Sequence, residues 1–200
     1  MTVLVEKIGE VRLPISGNGW EILITRKKQH KRANKSYART VGNYQVFHNG
    51  TKVAALSGML AERQGPGDNT QSGVTNHRRI AAGTYELSTH DGASNNKYKT
   101  IGYSTDPGLA KLPRPCFRFL GTGARSGILL HPGAGYLYSI GCFNPGTTLG
   151  LADDNLKWGD SRTRVIALLD DMKQFLGNQF PTSNNRKIPN AHAVVEGEPT

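Results

Sequence analysis

A mainly β fold, a sandwich or small barrel with one late amphipathic helix, is what this 200-residue sequence predicts. Three observations lead there. Short strand-like runs recur along the chain, separated by turn dipeptides such as Asn18-Gly19, Asn49-Gly50 and Asp91-Gly92. Glycine is frequent, at 24 of 200, and hydrophobic residues make up 36%, which suits many turns around one modest core. Only one segment carries a helical apolar period.

In chain order, the strand-like runs are residues 2–5, 20–25, 43–48, 52–56, 83–88, 116–120 and 127–131. The pair 43–48 and 52–56, joined through Asn49-Gly50, gives the strongest hairpin signal. Residues 62–76 are polar and glycine-rich and read as a long loop, a kind of segment often kept for function. The helix spans 161–176, where Val165, Leu168, Leu169, Met172, Phe175 and Leu176 fall at steps of three and four and form one core-facing stripe. Asp160 or Ser161 is placed to cap its start, and Gly177 to end it. Beyond Pro181 the chain turns polar and reads as a flexible tail, 181–200.

Composition excludes several classes. No apolar run approaches the length of a membrane span, and Met1–Pro14 lacks the apolar core of a signal peptide. Two cysteines cannot form a disulfide scaffold or a four-cysteine zinc site. The formal charge of +10 is local, because Arg26, Lys27, Lys28, Lys31, Arg32, Lys35 and Arg39 put 7 of the 25 basic residues into one short stretch without an acid. The other 18 basic residues nearly balance the 15 acids. Such a block reads first as a solvated loop and second as a surface for a polyanion. With Tyr37 its only ring, it is a poor fit to nucleic acid.

The densest chemistry lies between Gly127 and Asn144. An apolar strand delivers His131, a glycine-rich loop follows, and Ser139-Ile140-Gly141 leads into Cys142. A thiol near its ordinary pKa is mostly protonated at neutral pH, so a histidine within reach makes it a nucleophile and later returns the proton to a leaving group. The Gly141 and Cys142 N–H groups are candidates for an oxyanion hole. Elsewhere, Cys116 reads as a core thiol, and His77 and His90 as loop residues without metal-ligand spacing. The glycine-rich stretch 121–127 precedes a strand instead of opening a helix, unlike a phosphate loop.

The run Ile128-Leu129-Leu130-His131, followed by Ser139-Ile140-Gly141-Cys142-Phe143-Asn144, resembles the active-site signature of the L,D-transpeptidase (YkuD-type) catalytic domain. A second stretch, Arg79 to Leu87, resembles the family's glycine turn and strand. The likeness covers roughly residues 41 to 145, in a compact short-loop form nearer to secreted effectors and phage-associated relatives. Ile140 stands where the family commonly has histidine, Pro132 where it has glycine, and Asn144 where one option is arginine. The resemblance implies an L,D-transpeptidase-like β-sandwich or barrel over 41–180, after N-terminal strands and a basic loop over 1–40. It implies cysteine-dependent acyl transfer on peptidoglycan stem peptides without a cofactor: Cys142 as nucleophile, His131 as base and then acid, Gly141 in the oxyanion hole and Ser139 supporting the loop. Tyr136, Tyr138, Asn144 and Arg125 would bind substrate, with Arg118 and Arg79 as further candidates for a carboxylate. The reaction would be crosslinking, D-amino-acid exchange or carboxypeptidase cleavage in the periplasm or cell wall. Without a readable signal peptide, that implies either delivery by a non-classical route, as for an effector or phage product, with a secretion-system or immunity protein as partner, or a leader that lies outside this sequence. The alternative is a binding module of the same fold with an inert thiol, recognising wall glycopeptide or another polyanion. The order His before Cys argues against papain-like amidases.

Overall fold

The computed structural model describes residues 14–92 and 97–200. The expected strand at 2–5 lies outside them. The fold is mainly β, as expected: an eight-stranded, nearly closed, barrel-like sheet with one long helix. The strands are β1 (Trp20–Lys31), β2 (Ala38–His48), β3 (Thr51–Arg63), β4 (Gly83–Ser88), β7 (Phe117–Phe119), β8 (Leu129–Leu130), β9 (Asn144–Gly146) and β10 (Lys187–Glu196). Their order in the sheet is β8-β7-β4-β10-β1-β2-β3-β9. A two-residue side ladder pairs β5 (Tyr98–Lys99) with β6 (Arg114–Pro115), and a short α1 (Gly73–Asn76) sits in the long loop. The helix α2 runs over Trp158–Leu176.

Turn chemistry sets the β2–β3 hairpin. Asn49 and Gly50 both take positive φ, 47° and 79°, the pair of dihedrals that matches strand twist in a two-residue turn. Register shifts between Arg26 and Lys28, between Gln45 and Phe47, and between Lys187 and His192 interrupt the ladders. Such irregularities bend strands and help a sheet curl. Closure comes from one parallel bridge, Leu130 to Phe143, which ties β8 to the residue preceding β9.

The core joins Trp20, Ile22 and Ile24 of β1, Tyr44 and Val46 of β2, Phe117 and Phe119 of β7, and the α2 stripe Val165, Leu168, Leu169, Met172 and Leu176. Each such side chain contributes about 1.5–3 kcal/mol by leaving water. Phe175 is half-buried and stacks on His48 with ring centroids 4.2 Å apart. The expected caps of α2 are corrected: Lys157 occupies the N-cap with no side-chain bond, while Gly177 ends the helix at φ 52° as expected.

Two further expectations are corrected. Residues 187–196 of the expected tail form β10, parallel to β1 and antiparallel to β4 in the middle of the sheet. Ala191, Ala193 and Val195 alternate into the core there, small enough to lie beside Trp20 and its neighbours. The basic block is mostly strand instead of a loop or arm. Arg26 is buried in a bidentate pair with Glu62, and Arg39 is buried with its guanidinium on the carbonyls of Tyr136 and Leu151. Lys27, Lys28 and Lys31 remain exposed.

Candidate active site

The candidate site lies on the closure seam. His131 N–H donates to Phe143 O at 3.0 Å and Phe143 N–H to Leu129 O at 2.9 Å, a parallel ladder in which Leu130 and Phe143 face each other inside the core. Because strand side chains alternate, Leu129, His131, Cys142 and Asn144 project on the opposite side. Cys142 and His131 are therefore diagonal neighbours on one face, a spacing of about 7–8 Å that longer side chains can bridge.

The resting hydrogen bonds of Cys142 go elsewhere. Its half-buried Sγ accepts from Leu129 N–H at 3.3 Å and faces Gly127 O at 3.6 Å, and among the described residues no thiol–imidazole hydrogen bond forms. Burial pushes the thiol up to about 11, opposed by the Leu129 N–H and the Arg125 charge, both of which favour the thiolate. His131 is buried, and burial holds its imidazole down to about 4, with Arg114 adding to the effect. Nδ1 lies 2.8 Å from Pro132 O. A carbonyl only accepts, so Nδ1 carries the proton and Nε2 keeps its lone pair.

Asn144 is placed differently from expectation. It is fully buried and cannot line a cleft; its amide donates to His131 O at 3.0 Å and lies 3.3 Å from Nδ1, which makes it a positioning residue for the imidazole. Ser139 Oγ is 2.9 Å from Cys142 O and 3.3 Å from Asn144 Oδ1, and so ties the thiol's turn to that amide. Gly141 adopts φ 135°, and a Cβ there would overlap the Arg125 guanidinium. The Gly141 and Cys142 N–H groups donate to no other described residue.

Arg125 and Tyr136 are corrections. Arg125 is buried with its charge next to the thiol, and its two Nη groups are committed to the carbonyls of Asp68, Arg78, Arg79 and Ile140 and to Asn76 Oδ1, while Nε has no partner. It fastens the turn before Cys142 to the 68–79 loop. Tyr136 is also buried: its hydroxyl donates to His30 O, and its ring lies 4.7 Å from both the Arg32 and Arg39 guanidinium carbons. Arg79 is committed to Thr40 and Glu198. Tyr138 does stand at the site, half-buried, 6.3 Å from the His131 ring.

Two residues at the site, Tyr98 and Arg114, were not among the expected ones. Tyr98 packs 4.4 Å from the His131 ring, and burial pushes its phenol up to about 12, opposed by the Arg114 guanidinium beside it. Both residues come from the small β5–β6 ladder, which no motif announces. A cleft of about 210 Å³, lined by Ser72, Ser126, Gly127, Ile128 and Ile140 together with Arg125, reaches Cys142. Larger hollows along the β2–β3 hairpin and beside Glu198 have neither Cys142 nor His131 in their walls. Among the described residues no helix is long and apolar enough to cross a membrane. No family model, curated protein or solved structure matches the chain.

Proposed function

We propose that this chain is an acyl transferase of peptidoglycan stem peptides that works through a thioester on Cys142. One observation carries the reading: the parallel bridge at the seam sets thiol and imidazole on one face, with Nε2 kept as acceptor by the Nδ1–H bond to Pro132. Both groups are neutral at rest, so the proton moves within the reaction instead of sitting in a preformed ion pair. The reading requires Sγ to leave Gly127 and turn toward the imidazole by rotation about its side-chain bond.

The thiol proton passes to His131 Nε2 as sulfur bonds to the donor carbonyl carbon, and the free Gly141 and Cys142 N–H groups receive the oxyanion. One such donor contributes about 3 kcal/mol to the transition state. Collapse breaks the carbon–nitrogen bond, and the leaving amine, D-alanine, takes the proton from His131. An amine acceptor then gives crosslinking or exchange, and water gives carboxypeptidase cleavage; in each case the acceptor's proton returns through His131 to the thiol. The substrate lies outside the cytoplasmic membrane, so this activity belongs to the periplasm or cell wall.

The reading is tested by mass spectrometry of muropeptides incubated with the protein. Wild type should release D-alanine from tetrapeptides, and Cys142→Ala should lose the release by at least about a thousandfold while keeping its melting curve. Full turnover by the variant sinks the mechanism. A second reading, a wall-binding module of the same fold, is favoured by the high thiol pKa and by the bonds that hold Sγ away from His131. It expects wild type to bind stem peptides and release nothing.

A further inference from the structure

Resting on the acyl-transfer reading, we propose that Arg114, framed by Tyr98, Tyr138 and Trp158, is the subsite that receives a free carboxylate of the acyl donor. The Arg114 guanidinium carbon lies 5.8 Å from the Tyr98 ring, 5.8 Å from the Tyr138 ring and 5.4 Å from the Trp158 ring. Two of these rings also face His131, at 4.4 Å for Tyr98 and 6.3 Å for Tyr138. Tyr98 is the hub, in contact with both the Arg114 guanidinium and the His131 ring. The cation and the imidazole thus share one aromatic wall.

Arg114 also has donors to spare. Nη2 donates to Leu109 O at 2.9 Å, and Nη1 makes only a 3.5 Å contact with Tyr98 Oη. Among the described residues no carboxylate pairs with it. Arg26 and Arg79, by contrast, share Glu198, and Arg125 is committed to backbone. A half-buried guanidinium beside apolar rings attracts an anion more strongly than one in open water, and its planar fork matches a carboxylate. Tyr98, Tyr138 and Trp158 are half-buried and offer flat surface for the aliphatic part of the same ligand.

The test uses a stem tetrapeptide and a series in which its carboxylates are amidated one at a time. Binding to Cys142→Ala removes turnover from the measurement. Amidating one carboxylate should weaken binding about tenfold or more. That difference should vanish in Cys142→Ala/Arg114→Met and shrink in Cys142→Ala/Arg114→Lys, which keeps the charge without the fork. A flat amide series, no measurable binding of the unamidated peptide, or a difference that survives Arg114→Met overturns the proposal; the amide series decides even where an Arg114 variant fails to fold. Turnover is read separately in proteins that retain Cys142, where Arg114→Met should raise KM more than it lowers kcat. Carboxylate selectivity without D-alanine release would sink the acyl-transfer reading and leave the subsite standing.

Discussion

Cys116 and Cys142 are both thiols that burial pushes above the ordinary cysteine pKa, yet the backbone around them differs. Cys116 is fully buried between β6 and β7; its N–H donates to Lys99 O and its carbonyl accepts from Thr100 Oγ1. Cys142 is half-buried at the seam, where its own N–H and that of Gly141 donate to no other described residue and a cleft reaches the sulfur. The ladder around Cys116 uses up its backbone polar groups, and the place where the sheet closes leaves the amides beside Cys142 without a partner among the described residues. The difference between the two thiols lies in the backbone, and the acyl-transfer reading depends on it.

Alkylation should open the widest gap between the two. With iodoacetamide under native conditions, Cys142 should label at least about a hundredfold faster than Cys116, which becomes accessible only through opening of the core. The Cys142 rate should climb with pH toward about 11. Equal rates, read by mass spectrometry of peptides, would erase the distinction.

A pH titration of stability sharpens the seam side. Folding holds His131 down to about 4 from an ordinary 6.5, so between those values the unfolded chain binds the extra proton. Stability from this group is therefore complete above pH 6.5 and is lost as pH falls toward about 4, by about 3 kcal/mol in all. Urea midpoints of wild type should show the slope, and His131→Gln should flatten it. An unchanged slope would mean that the imidazole is not buried as described.

Glycine substitutions give the smallest effect. Gly141→Ala meets both a positive φ and the Arg125 guanidinium and should cost about 1–3 kcal/mol, with slower turnover as the Cys142 amide shifts. Gly121→Ala has φ 73° but open space around it, and should cost less. Equal melting temperatures for the two would remove the tight approach of Arg125 from the account.

Much of the framework is legible in the residues. Asn49-Gly50 marks the hairpin and the 3.6-residue stripe marks α2, because both signals are local. β10 escaped for physical reasons: Pro189 and Asn190, the latter at φ 53°, interrupt the strand pattern at a register shift, and alanines supply two of its core contacts. Its Ala191-His192-Ala193-Val194-Val195 alternation was the signal that remained. The basic block misled because the partner of Arg26, Glu62, is 36 residues away in the chain. At the site, His131, Ser139, Gly141 and Cys142 announce themselves by spacing. The role of Asn144 depends on the ladder register, and Arg114 and Tyr98 reach His131 only through tertiary packing.

The barrel is a hoop whose last stave is fastened by a clasp of two amides, those of His131 and Phe143, while β1 and β2 are laced along nearly their whole length. In the proposed transfer, opening at that clasp would be the motion that slides sulfur against imidazole, while the long β1–β2 ladder stays closed.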